Sequence, residues 1–193
     1  MKSTRDPWLS KWLPVIAERA NSDAVLEIGC GIGDDTETLV SAGLSVIAFD
    51  LSEQAVAGAR ARVPAAAIFC QSVLDPFPLN GRIGAIVASL SLHYFAWAQT
   101  KALVARMHEA LRPKGILVSR LNSTDDHNYG ASGHPEIEKH YYLVDGKPKR
   151  FFDRAAVDAL FGAGWTRLSV EHAYTTKYEK PKALWEVVLE RDA

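Results

Sequence analysis

The chain has 193 residues, enough for one domain with a sizeable core. A net charge of −1 gives no basic field for nucleic acid or for an anionic membrane surface. No apolar run reaches the ~18 residues that a bilayer-spanning helix needs, so the sequence argues against a membrane partner.

In chain order, Asp6 and Pro7 read as a helix cap and first-turn proline. Trp8, Leu9, Trp12, Leu13, Ile16 and Ala20 then recur at helical spacing. Pro14 is expected to kink this helix or divide it in two. Residues 1–22 thus form an N-terminal helical cover, with Trp8 or Trp12 as a candidate roof for a ligand. A first strand is expected over 24–28. It runs into the turn Gly29-Cys30-Gly31-Ile32-Gly33 and a helix over 34–42, which Gly43 stops. A second strand over 44–49 ends at Asp50. Ser52 caps the next helix, with Glu53 in its first turn. Strands follow over 65–70 and 83–90. Trp97, Leu103, Val104, Met107 and Leu111 line one face of the next helix, and a fifth strand is expected over 116–121. Asp153 caps a further helix. Strands over 165–173 and 183–190 are joined by a link short enough for antiparallel pairing.

Strand alternating with helix demands parallel pairing through right-handed crossovers. The apolar strands suit a sheet covered on both faces, so the fold class is α/β. Residues 122–150 break the rhythm with histidines, tyrosines, glycines and charges, and they are expected to form a substrate lid inserted in a single domain, 1–193. Within them Lys147-Pro148-Lys149-Arg150 reads as a solvated basic turn. Cys30 and Cys70 fall on the first and third strands. Their separation, roughly 9–10 Å with one strand between, exceeds the ~7 Å Cα limit for a disulfide. Free thiols in a reducing, cytoplasmic compartment are expected.

The glycine turn is the centre of the chemistry. Strand, glycine turn, helix and an acid about 20 positions on outline a nucleotide site. A dinucleotide site needs G-x-G-x-x-G, but the third glycine position is Asp34 and Asp35 follows. Two carboxylates at a helix start oppose a diphosphate. Glu27 ahead of the turn repels pyrophosphate too, and suits a cation or a hydroxyl. Asp50 ends the second strand, where a carboxylate takes both ribose hydroxyls. These features suit a nucleoside with a positive centre.

Glu27-Ile28-Gly29-Cys30-Gly31-Ile32-Gly33 resembles motif I of the class I S-adenosylmethionine-dependent methyltransferases. Asp50 is similar to their ribose-binding acid. Gly84 to His93 and Leu111-Arg112-Pro113-Lys114-Gly115 resemble the fourth-strand motif and the turn before strand five. The short core with a compact accessory loop is similar to tellurite-resistance and thiopurine-type methyltransferases. Two departures stand out: Gly84 replaces an acid common near the start of strand four, and Ser89-Leu90-Ser91-Leu92 replaces the Asn/Asp-Pro-Pro-aromatic run of nucleobase amine methyltransferases.

The resemblance implies a Rossmann-like, doubly wound sheet in the order 3-2-1-4-5-7-6, parallel but for an antiparallel last strand. It implies S-adenosyl-L-methionine as cofactor and S-adenosyl-L-homocysteine as product. The implied cofactor residues are Glu27, Gly29, Cys30, Gly31, Gly33, Asp50, Leu51, Ser72, Val73, Ser89 and Leu90. Methyl transfer needs alignment, and a base only if the nucleophile must lose a proton. His93, just past strand four, is the candidate base. The implied acceptor is a small molecule with an oxygen, sulfur or chalcogen nucleophile. Tyr94, Trp97, Arg120, Asn122, Tyr129, Tyr141 and Arg150 are its candidate contacts, with Tyr178 and Lys182 from the last hairpin. For the arginines the plainer expectation is pairing with Asp125, Asp126 or Glu136. A metal site is not expected, because no helix carries a ligand pair and the histidines are scattered. Alternatives are a tRNA or protein methyltransferase and a cofactor-binding module without catalysis. The protein is expected to be a monomer or homodimer.

Overall fold

The computed structural model describes residues 6–193. The chain enters through a 3-10 turn, Ser10–Trp12, and then α1 (Leu13–Ala20), whose first turn holds Pro14. The expected N-terminal helix is therefore divided at that proline. Asp6 is drawn into the molecule: its carboxylate meets the Arg120 guanidinium at 2.5 Å and accepts from the Thr175 hydroxyl at 3.0 Å.

The alternating units follow as β1 (Val25–Ile28), α2 (Asp34–Ser41), β2 (Val46–Asp50), α3 (Glu53–Arg62) and β3 (Ala67–Cys70). The Ser52 hydroxyl accepts from the Ala55 N–H and caps α3. Residues 71–82 cross to β4 (Ile83–Ser89) without a described helix. α4 (Trp97–Ala110) leads into β5 (Leu111–Asn122), which is longer than the sequence pattern suggests and begins at the Arg112-Pro113-Lys114-Gly115 turn. At Gly84, a Cβ would lie 1.7 Å from the Arg19 carbonyl oxygen at the end of α1. The space an acid would need is thus taken by the N-terminal helix.

Residues 122–150 are more ordered than a loop. They hold a 3-10 turn, His127–Tyr129, and three antiparallel strands, β6 (Glu136–Glu138), β7 (Tyr141–Val144) and β8 (Lys147–Arg150), in a separate small sheet. The basic run is thus strand β8 rather than a solvated turn, and Arg150 is buried. The small sheet is fastened to the segment after β4: the Arg150 N–H donates to the His93 carbonyl at 2.6 Å, and the Tyr141 hydroxyl to the Tyr94 carbonyl at 2.9 Å. The chain ends with α5 (Arg154–Leu160), capped by the Asp153 carboxylate, and the hairpin β9 (Trp165–Thr175) and β10 (Lys182–Arg191).

The main sheet has seven strands in the order β3-β2-β1-β4-β5-β10-β9. With the small sheet set aside this is 3-2-1-4-5-7-6. β1 to β5 run parallel, and β10 pairs antiparallel with both β5 and β9. A cluster with Leu103, Met107, Val157 and Phe161 covers one face, and a cluster with Ile16, Leu39, Val56 and Ala59 covers the other. Helices on both faces put the carboxyl ends of β1, β2 and β4 side by side, which is where ligands lie in such sheets.

Candidate functional site

A cavity of about 1010 Å³ opens at those carboxyl ends. That is the upper end of the ~300–1,000 Å³ that a small-molecule site occupies. Of the residues singled out in the sequence, Glu27, Gly29, Cys30, Gly31, Asp50, Leu51, Ser72, Val73, Ser89, Leu90, Tyr94 and Arg120 line it, as does Tyr178.

The turn after β1 is built for close approach. Gly29 has φ of 74°, and a Cβ there would lie 2.7 Å from the Ser91 Cβ. Only glycine lets the β1 turn and the β4 end touch. The Gly31 N–H donates to Asp50 Oδ2 and the Ser52 N–H to Oδ1, each at 2.9 Å. Both carboxylate oxygens are thereby fixed, and each keeps a lone pair toward the cavity. Leu90, at the end of β4, has φ of 54°. A non-glycine residue in that region carries ~1–3 kcal/mol of strain, which the surrounding structure must hold. Its N–H donates to the Arg120 carbonyl at 2.9 Å.

Charge is concentrated beside the turn. Glu27 is buried and accepts from the Thr36 hydroxyl at 2.6 Å. Burial, with Asp35 and Asp34 nearby, pushes its carboxyl up to about 8. Asp35 accepts from the Trp8 indole N–H at 2.9 Å, and burial raises its carboxyl as well. Asp34 pairs with Arg62 and, at 2.7 Å, with Lys177. Trp8 itself does not line the cavity. It is a buried support, with the Arg120 guanidinium 4.2 Å above its ring.

Several expected site residues stand outside the cavity lining. His93 is buried against the Tyr94 ring at 4.0 Å, and its Nδ1 has no partner among the described residues. Burial, with Lys149 and Lys182 nearby, pulls its imidazole down to about 3. Gly33 packs on Ala59 of α3 instead of facing the cavity. Trp97 opens α4, and its N–H donates to Glu138 at 2.5 Å. Asn122 donates to the Arg150 carbonyl at 3.4 Å, Tyr129 to the Lys180 carbonyl at 3.0 Å, and Tyr141 to Tyr94. Arg150 is spent on Glu138 and on the Phe95 carbonyl at 2.9 Å. The arginines do hold elements shut, through Asp6 and Glu138 rather than through the acids expected. Asp126 instead takes Lys182 in a buried pair.

The cavity also takes residues that sequence patterns did not single out for it: Asp34, Asp35, Ser91, Phe95, Lys147, Pro148 and Lys177. Their signal was faint, because three of them come from hairpin tips brought over the site by folding. Cys30 is buried and Cys70 exposed, and both are free. Among the described residues no group of three or more His, Cys, Asp or Glu could hold a metal ion, and no helix is long and apolar enough to cross a membrane.

A mostly parallel sheet in this order, a glycine turn after β1 and an acid closing β2 are the features that the resemblance to class I methyltransferases implies. Residues 25–115 match a family described as "Methyltransferase domain". The chain is similar to an uncharacterized methyltransferase of Synechocystis, 31% identical over 48% of this chain and 43% of that one. It is also similar to the malonyl-[acyl-carrier protein] O-methyltransferase of Enterobacter lignolyticus, 30% identical over 70% of this chain and 51% of that one. The chain spans about half the length of the curated relatives it matches. A solved SAM-dependent methyltransferase from Methanosarcina mazei superposes with a TM-score of 0.78 at 14% identity, over 93% of this chain and 97% of that one. Over residues 25–115 the chain is thus similar to a methyltransferase domain, on a fold it shares with a solved S-adenosylmethionine-dependent methyltransferase. The residues present fit that cofactor: a bare glycine backbone, a fixed carboxylate for hydroxyls, and in the cavity wall a buried Ser91 hydroxyl with no partner among the described residues.

Proposed function

We propose that the protein transfers a methyl group from S-adenosylmethionine to a small-molecule acceptor by in-line displacement. The observation that carries this is the convergence of the Gly29–Gly31 turn, Asp50 and the end of β4 on one cavity larger than a nucleoside needs. When bound, the cofactor supplies an activated methyl carbon on a sulfonium.

The protein's work is to bind, orient and exclude water. Asp50, held by two N–H groups, takes the ribose hydroxyls. Ser72 and Val73 border the adenine, and Ser89 and Leu90 fix the methionyl end. Glu27, with Asp35 beside it, meets the ammonium. Arg120 stabilises the opposite side of that end and ties in the N-terminal cover through Asp6. Residues 122–150 act as the lid, since the tip of β7–β8 brings Lys147 and Pro148 to the cavity. His93 holds the lid through its carbonyl and is not the base. A tRNA or protein acceptor is disfavoured by the net charge of −1. The free thiols fit a cytoplasmic protein, working as a monomer or homodimer.

The test is an acceptor screen with labelled S-adenosylmethionine, spanning thiols, phenols, carboxylates and chalcogen oxyanions. Release of S-adenosylhomocysteine with one acceptor class is expected. Cofactor that binds but never turns over would instead identify a module without catalysis.

A further inference from the structure

The cavity wall beyond the cofactor residues holds donors in search of an acceptor. Tyr94 and Tyr178 line it with partly exposed rings, and no hydrogen bond joins either phenol to another described residue. Burial raises both phenols, so each stays protonated and can only donate to an anion at neutral pH. Lys147, at the start of β8, lines the same cavity and has no ion pair among the described residues. The other two lining cations are engaged, Arg120 with Asp6 and Lys177 with Asp34.

No group positioned to accept a proton accompanies these donors. Among the described residues the cavity lining has no histidine. Its carboxylates already have partners: Glu27 accepts from Thr36, Asp34 pairs with Arg62 and Lys177, Asp35 accepts from Trp8, and Asp50 accepts from two N–H groups and is assigned above to the ribose hydroxyls. A nucleophile here must arrive without a proton. A carboxylate does, because its ordinary pKa near ~4 leaves it ionised at neutral pH. An alcohol does not, and a free thiol, with a pKa near ~8.5, does so only in small part.

We propose that the acceptor is a small carboxylic acid, methylated on its carboxylate oxygen, with Lys147 as the residue that selects it. This rests on the methyl-transfer function proposed above. One carboxylate oxygen uses a lone pair to form the new O–CH₃ bond. The C–S bond breaks with its electron pair going to sulfur, the sulfonium becomes a neutral thioether, and no proton moves. At the reacting centres an anion and a cation become two neutral groups, a change favoured wherever bound ligands exclude water. Lys147 and Tyr178 lie outside the matched 25–115 stretch, so the selecting groups sit in segments the shared domain does not supply.

The test uses matched probes. Phenylacetate and hexanoate are each compared with the alcohol and the thiol of the same carbon skeleton, at saturating S-adenosylmethionine. Methyl ester and S-adenosylhomocysteine are expected from a carboxylate probe, at a kcat/KM at least ~10-fold above its alcohol and thiol. Calorimetry of the same carboxylate on the S-adenosylhomocysteine complex should show Lys147→Glu weakening its binding ~10-fold or more, with Lys147→Arg restoring it. Lys147 is exposed, and circular dichroism checks that each variant folds. Methylation of the thiol or alcohol instead, no ester from either acid, or carboxylate binding unchanged in Lys147→Glu overturns the proposal. Failure of the unaltered protein to bind S-adenosylmethionine, measured in the same calorimeter, would fault the methyltransferase function itself.

Discussion

At Gly29 a single missing Cβ decides whether β1 and β4 meet. Gly29→Ala would combine a left-handed backbone with a 2.7 Å contact on Ser91. A loss of ~1–3 kcal/mol of stability is expected, with S-adenosylmethionine affinity falling at least ~10-fold. Urea unfolding and calorimetry measure the two effects separately, and affinity equal to that of the unaltered protein would mean the cofactor lies elsewhere. Glu27 gives a second test. Its folded pKa of about 8 stands above the ordinary 4.5, so the native state holds more protons than the unfolded state between those values. Its contribution is fully present below 4.5 and is lost as pH rises through 8. Glu27→Gln should therefore stabilise the ligand-free protein at pH 8 relative to pH 4.5. Each tenfold difference in proton affinity between the folded and unfolded states is worth ~1.4 kcal/mol, so the change should be on the order of a few kcal/mol. Binding of a cationic ligand should ionise Glu27 and release a proton near pH 7. Calorimetry in buffers of different ionisation enthalpy detects that release, and a buffer-independent enthalpy would remove Glu27 from the ammonium site.

Among the elements, the small sheet β6–β8 is the part that sequence patterns hid. Its strands have three or four residues each and little alternation, so the run 147–150 shows only its charge. What orders it is long-range: Arg150 reaches Glu138, the Phe95 carbonyl and the Trp97 ring. Such contacts carry no local signature. The strand–turn–helix units were legible because burial on both faces makes apolar runs, and caps such as Ser52 and Asp153 mark helix starts. The part of the cavity formed by the glycine turn and the ends of β2 and β4 was legible for the same reason. The opposite wall was not, because Lys147, Lys177 and Tyr178 arrive from hairpin tips. Conversely, His93 and Tyr141 have the chemistry of site residues, but in the structure they fasten the small sheet to the segment after β4. Arg150→Ala should cost ~1–3 kcal/mol, since it removes the donors to the partly exposed Glu138 and to the Phe95 and Lys139 carbonyls. Hydrogen exchange over 136–150 should accelerate while β1, β4 and β5 stay protected. Uniform acceleration across the main sheet would show that the small sheet is part of the global folding unit.

For the molecule as a whole, a ligand that binds only the folded state raises stability by mass action. At a hundred times its Kd, S-adenosylmethionine should add ~2.7 kcal/mol. For a chain of this size that corresponds to a rise in Tm of roughly 5–10 °C. NAD, whose diphosphate would face Asp34 and Asp35, should produce no rise. The claim on which everything else depends is that the cavity at the ends of β1, β2 and β4 is the cofactor site. Calorimetric titration of S-adenosylmethionine into the unaltered protein and into Asp50→Ala tests it most directly. One-to-one binding that weakens at least ~10-fold in Asp50→Ala is the predicted result. Equal affinity in the two proteins would contradict it.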